Sequence, residues 1–297
     1  MRVTQSMLSN NMLRNISNSY SKLGKLQDQL ATQKKITKPS DDPVVAMLGI
    51  SYRSDLNRIT QFKENISEVS TWLDATDDAI NEGVQVLQRI RELVVQASNG
   101  TLESSQREAI AVEIKELRDQ LEMLGNTQVG GKYIFNGRKT NERPNGNFSE
   151  GSIEIEVFDG IYMTVNTSGK DLFGNLIVND DPTTSTDEAG TLAKLISTLE
   201  NSDSTEDDIG AFLDEIDGHI DNFLKHQSNV GARQNRIELM EHRIDNQEII
   251  STEVLSKNED VDIEKVITEL ITQESVHRAA LSVGARIIQP TLMDFLR

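Results

Sequence analysis

The chain has 297 residues, 36% of them hydrophobic but only 13 aromatic, with a formal charge of −18 and no cysteine. So acidic a protein repels nucleic acid and anionic lipid, and without thiols it has no disulfide, thiolate metal site or thiol nucleophile. Few aromatics, five prolines and 26% charged residues point to long helices that share narrow apolar seams.

At the front, Leu13, Ile16, Tyr20, Leu23 and Leu30 keep heptad spacing, which predicts an amphipathic first helix. The opening stretch MRVTQSMLSNNMLRN has no apolar block of signal-peptide length, and no later stretch is apolar enough to span a bilayer. Export, if it occurs, is expected without a cleaved signal. The segment TKPSDDP follows. Pro39 is expected to end the first helix, Ser40, Asp41 or Asp42 to cap the next, and Pro43 to open it, so that 39–43 act as a hinge.

Between Val44 and Arg143 there is no proline, and Val45, Tyr52, Ile59, Ile66, Leu73, Ile80, Leu87 and Val94 recur every seventh residue. A helix from 44 to 98 would be about 80 Å long. The companion seam is apolar at Leu48, Phe62, Val69, Ile90 and Ala97 but interrupted at Asp55, Thr76 and Gly83. SNGT at 98–101 is expected to end this helix. Ser105 and Glu108 then read as a capping box opening another, whose stripe of Ile110, Ile114, Leu117, Leu121 and Leu124 folds back along the first.

Residues 129–182 hold 8 of the 18 glycines and 6 of the 13 aromatics, marking a separate structural unit. SIEIEVF and IYMTV flank Asp159-Gly160 as a β-hairpin, and KYIF at 132–135 reads as a short preceding strand. After the polar connector VNDDPTTSTDEAG, Leu192, Leu195, Ile196 and Leu199 suggest a short helix. From Ile209 through Leu213, Ile216, Ile220, Phe223, Gln227, Val230, Gln234 and Ile237, spacings of four and three residues alternate, predicting a second long helix. It continues past Ile244 to Val254, pauses at SKNEDVD and resumes with Ile263, Val266, Leu270, Ala280, Gly284 and Ile287. Ala280 and Gly284 leave room for a close partner helix, and the natural pairing joins the two chain ends.

The expected fold is therefore mainly α: an elongated antiparallel helical rod, a coiled-coil-like bundle of N- and C-terminal helices with a small β-rich insertion. Residues 1–42 with 260–297 would form a terminal helical assembly domain, 43–140 with 186–259 a long-helix rod, and 141–185 an outer insertion.

Sites for chemistry are not found. No stretch has the calcium-loop spacing, and Asp207 and Asp208 instead suit the N-terminal end of the helix that follows. His219 and His226 lie two turns apart, too far for one zinc, and are expected on the solvated surface; His277 is expected as a half-buried helix contact. There is no G-x-S-x-G elbow and no Walker loop, and Gly130-Gly131 alone does not make one. No catalytic, metal or cofactor residue is assigned, and an enzyme is not expected. Seams at both ends that a thin hairpin cannot cover should be buried on neighbouring molecules.

Four stretches resemble the flagellin family, in order and at the same ends: QLATQKKITKPSDDPVVAM, RIRELVVQASNGT, NEDVDIEKVITEL and QESVHRAALSVGARIIQPTLMDFL. GGKYIFNG at 130–137 and the ending QPTLMDFLR resemble the family's subunits that join hook to filament more than filament flagellin. The resemblance implies an extracellular part of the bacterial flagellum, exported through the flagellar channel and needed for filament assembly and motility. Its copies would form a ring, with hook-associated protein 1 on one side, flagellin on the other, and a flagellar export chaperone before assembly. It further implies terminal helices innermost, long helices next and the insertion outermost. Segments 1–35 and 262–297 are then expected to order only on assembly, since a lone pair of short helices does not offset its ordering entropy. A minor filament subunit and a cytosolic coiled-coil adaptor are the alternative readings.

Overall fold

The computed structural model describes residues 5–99, 103–144, 147–177, 190–201 and 204–288. Among them are seven α-helices: α1 (Gln5–Thr32), α2 (Pro43–Ala97), α3 (Ser104–Gly125), α4 (Thr191–Glu200), α5 (Glu206–Gly210), α6 (Phe212–Glu259) and α7 (Ile263–Ile288). Four short strands lie between α3 and α4: β1 (Gln128–Val129), β2 (Lys132–Tyr133), β3 (Glu154–Phe158) and β4 (Ile161–Thr164). A single π-turn at Lys170–Gly174 follows them. The fold is thus mainly α with a small β insertion. It divides into a terminal unit, Met1–Arg58 with Gln247–Arg297, and a central unit, Ile59–Asn246, the divisions falling inside α2 and α6.

In the central unit, α2 and α6 run antiparallel, tied by Lys63 to Asp245 (2.9 Å), Gln234 to Asp74 (2.9 Å) and Arg91 to Asp217 (2.6 Å). What holds them is the seam beneath. Ile59, Ile66, Leu73, Ile80, Leu87 and Val94 are all buried, and so are Ile216, Phe223, Val230, Ile237 and Ile244, also seven apart. The interruptions in the companion seam have physical reasons. Thr76 is fully buried, and its hydroxyl is satisfied by donating to the Trp72 carbonyl at 2.8 Å, one turn back. A Cβ on Gly83 would lie 2.6 Å from Cε1 of Phe223, so the glycine makes room for the ring. Toward its start the seam opens: Val45 and Tyr52 are half-buried and Leu48 is exposed.

Helix α3 folds back on α2 as expected, with Arg89 bonded to Glu113 (2.8 Å) and Gln120 to Glu82 (2.9 Å). Its cap is two residues earlier than expected. Glu103, not Ser105, precedes the helix, and its N–H donates to Oε1 of Gln106 at 3.2 Å, so the helix begins at Ser104. Of SNGT, Gly100 and Thr101 lie outside the described residues, as does 178–189 of the polar connector and 289–297 of the C-terminal stretch.

The strand expected at 132–135 is shorter. Gly130 (φ 58°) and Gly131 (φ 80°) make the tight turn of a hairpin in which Val129 faces Lys132, while Ile134 and Phe135 leave the ladder for the core. Phe135, Phe148 and Phe223 surround Phe173, with centroids 5.2, 5.5 and 5.3 Å away. The insertion therefore shares one hydrophobic cluster with α2, α3, α4 and α6. The second hairpin is as expected, β3 and β4 meeting through Asp159-Gly160 with a register shift between Glu156 and Phe158. Thr205 and Asp208 cap α5 reciprocally, which explains the acidic run before the long helix.

His219 and His226 are not on the solvated surface. Both are half-buried, and burial pushes both imidazoles below their ordinary pKa; His219 packs its Nε2 3.2 Å from Oγ1 of Thr191. The helical period continues at these positions against α4 and the π-turn, elements that heptad counting along α6 does not reveal.

Candidate assembly surface and its clasp

The two units differ in what they leave uncovered. Among the described residues, every buried hydrophobic belongs to the central cluster except Val266. Of the 22 exposed large hydrophobics among the described residues, 16 lie in the terminal unit, among them Met47, Ile50, Ile249, Ile271 and Val283. Charge is divided the opposite way. The terminal unit has 14 basic and 13 acidic residues, net +1, whereas the central unit has 16 and 35, net −19. An apolar, nearly neutral surface invites association, and an acidic one resists it.

Helices α1 and α7 pair antiparallel. A Cβ on Gly284 would sit 2.8 Å from Cε of Met12 and 3.7 Å from Cδ1 of Ile16, so the small residue does admit a close partner. Midway, Ser19 is buried; Gln273 donates to its hydroxyl at 3.0 Å and Nδ1 of His277 lies 3.2 Å from it, with the Tyr20 and His277 rings 6.1 Å apart. His277 is thus the half-buried contact expected. The α1 stripe is split between two faces: Ile16, Leu23 and Leu30 are half-buried, while Leu13 (55%) and Tyr20 (72%) are exposed. On α7, Val266 and Gly284 are buried, Leu270 and Ala280 are half-buried, and the side chain of Ile287 lies outside those described. Ser19 carries no apolar signal in the sequence, yet it is the polar pin in this seam.

The connector between α1 and α2 departs from expectation. Helix α1 ends at Thr32, not at Pro39, because Gln33 turns to φ 58° and the chain crosses to the α6–α7 connector. There Lys34 and Asp260 form an isolated antiparallel bridge, the Lys35 N–H donates to the Glu259 carbonyl (2.7 Å), and the Val261 N–H to the Gln33 carbonyl (3.0 Å). Within the expected hinge, Asp41 accepts from the Lys38 N–H at 3.2 Å, and Asp42 accepts from the N–H groups of Val44 and Val45 at 3.0 and 3.2 Å. Asp42 is therefore the cap and Pro43 the first helical residue, whereas Pro39 and Ser40 sit in the exposed turn. These carboxylates satisfy their own backbone, and Asp41 is held below its ordinary pKa chiefly by the Lys38 N–H.

The second half of this clasp is ionic. Glu259 is only 5% exposed; Arg53 reaches its Oε2 at 2.7 Å and Lys34 at 3.5 Å. A Cβ on Gly49 would be 2.5 Å from Glu259 Oε1, so that glycine admits the carboxylate against α2. Lys34 also holds Asp260 at 2.6 Å, and the Ser256 hydroxyl donates to the same carboxylate at 2.6 Å. Lys34, Gly49, Arg53 and Glu259 carry no local sequence signal, since each matters only through a partner on the other connector.

The hydrogen bond from Lys34, then that from Ser256, lowers the Asp260 pKa from 3.8; the same Asp260 bond raises Lys34 from 10.5. A depressed carboxylate contributes stability that is present above its unfolded pKa and lost as pH falls through the lower folded one; the raised lysine loses its share only above 10.5. Both side chains are about two-fifths exposed, so the contribution is modest. Hydrogen-exchange protection of the Lys35 and Val261 amides should stay flat from about pH 5 to about pH 8 and fall below about pH 4. A fall centred near the histidine range would refute this assignment.

Among the described residues, no three or more histidine and carboxylate side chains are placed to hold a metal ion, and no helix is long and apolar enough to cross a membrane.

The family description "Bacterial flagellin N-terminal helical region" matches residues 3–140, and "Bacterial flagellin C-terminal helical region" matches 213–296. The chain belongs to the bacterial flagellin family, a family of structural proteins and not of enzymes. Within it, the chain is similar to flagellar hook-associated protein 3 of Escherichia coli K12, 30% identical over 208 residues, covering 67% of this chain and 66% of that one. It is likewise similar to hook-associated protein 3 of Salmonella typhimurium, 28% identical over 61% of this chain and 60% of the relative. The matched stretch thus spans slightly under two thirds of these curated relatives. The fold matches a solved flagellar hook-associated protein from Vibrio parahaemolyticus, with a TM-score of 0.63 and 21% identity over 74% of this chain and all of that one.

Proposed function

We propose that this protein joins the flagellar hook to the flagellin filament, as a ring of copies contacting hook-associated protein 1 on one side and flagellin on the other. The observation that carries this reading is the terminal unit, whose helices pair through one narrow seam and leave most of their apolar side chains uncovered. Residues 1–42 with 260–297 form the assembling part, 43–140 with 186–259 the supporting helices, and 141–185 the outward insertion. Neighbouring subunits complete the seams on α1 and α7, including the faces of Leu13 and Tyr20. Until then, an export chaperone covers them. The likeness to hook-associated protein 3 supports the junction over the filament itself.

Deleting the gene in the source bacterium should leave hooks without filaments and release unpolymerised flagellin into the medium. Antibody labelling of wild-type flagella should give one band between hook and filament. Label spread along the filament would instead identify a minor filament subunit, and a chain confined to the cytosol would identify an adaptor.

A further inference from the structure

Beside the clasp, the α1–α2 connector and the start of α2 enclose a socket of about 160 Å³. Ile36, Pro39, Ala46 and Ile50 supply apolar walls, and Lys34, Lys38, Arg53 and Glu259 supply charge. Ligand pockets enclose roughly 300–1,000 Å³, so this one suits a single side chain and not a metabolite. The carboxylates around it are already committed. Glu259 is buried between Arg53 and Lys34, Asp260 is held by Lys34 and Ser256, and Asp41 and Asp42 accept from backbone N–H groups. The Lys38 ammonium has no partner among the described residues. The lining itself carries three cations, Lys34, Lys38 and Arg53, against the one carboxylate of Glu259, a surplus of positive charge over an apolar wall that fits the aliphatic stem and carboxylate of an acidic side chain.

The wider charge pattern favours a donor from the acidic central unit. The first 58 residues hold nine basic and four acidic side chains, net +5, while the central unit is net −19. We propose that the socket receives an acidic side chain from the central unit of a second copy of this chain. The inference rests on the assembly reading above and adds the contact that would orient neighbouring copies. The electrostatic share of such a contact sets register and partner choice more than raw affinity.

Carbodiimide cross-linking, which joins lysine amines directly to carboxylates, tests it on junctions isolated from cells that carry mixed ¹⁴N- and ¹⁵N-labelled copies and no filament flagellin. The expected product links Lys38 of one copy to an aspartate or glutamate between 59 and 246 of another, and is absent from the monomer and from Lys38→Gln. Lys38→Glu should lose incorporation while its monomer melts like the wild type, and Lys38→Arg should restore incorporation. Normal incorporation of Lys38→Glu, a cross-link confined to one copy, a cross-link to a different flagellar protein, or assembly without any Lys38 cross-link would each overturn the socket contact alone. Absence of the chain from the flagellum would overturn the assembly reading, and the socket contact with it.

Discussion

Replacing Phe223 with alanine should destabilise the central unit by about 3 to 5 kcal/mol, the range for deleting a fully enclosed aromatic ring. The ring is 0% exposed, meets Phe173 edge-on at 5.3 Å and 89°, and fills the space left by Gly83 on the facing helix. That last contact raises the cost. A cavity relaxes when neighbours can lean in, and a glycine has no side chain to lean. Phe223→Leu should therefore be much milder, and Gly83→Ala should cost about 1 to 3 kcal/mol from the opposite fault, overpacking. Thermal unfolding of the monomer measures all three, with a loss on the order of 10 °C expected for Phe223→Ala. A loss under about 1 kcal/mol would mean that the ring is not enclosed as described.

The second large effect lies in the clasp, and its sign depends on which partner is removed. Lys34→Ala with Arg53→Ala strands a buried carboxylate and should cost roughly 3 to 5 kcal/mol of local stability. Glu259→Gln leaves two cations whose side chains are 40% and 61% exposed, so water takes up their charge and the cost is smaller. The readout is protection of the Lys35 and Val261 amides, because opening the connectors does not require unfolding the central unit. Equal losses from the double and the single variant would show that Glu259 is solvated and the burial argument wrong.

Local periodicity makes the long helices legible in the sequence, since Ile59 to Val94 and Ile216 to Ile244 bury one stripe each. The same reasoning located β3, β4 and α4 within a residue or two. It failed where the cause is remote. Pro39 is a sound local reason for a helix to stop, but α1 stops at Thr32 because Gln33 and Lys34 are drawn to Val261 and Asp260. Ser105 is a good cap by composition, yet Glu103 does the capping because Gln106 reaches back to it. Gly83 interrupts an otherwise apolar stripe, which marks close approach, and Gly49 lies outside both stripes; only the fold says that one meets a phenyl ring and the other a carboxylate. Of the assembly surface, the stripes on α1 and α7 were visible; the buried Ser19 and the clasp were not, because no one-dimensional pattern couples positions more than two hundred residues apart.

The pairing of α1 with α7 has a consequence in time. Gln273 and Ser19 are 254 positions apart, so their contact awaits nearly the whole chain, whereas the α2–α3 hairpin needs only its own stretch. During synthesis the α2–α3 hairpin has its sequence in hand long before the seam between the chain ends does, and even the α2–α6 pairing, which needs the chain through Asp245, precedes it. The sticky surface is consequently the last to take shape. A chain truncated before α7 would keep the residues of the central unit but lack the partner that pairs with α1, leaving that seam unfinished.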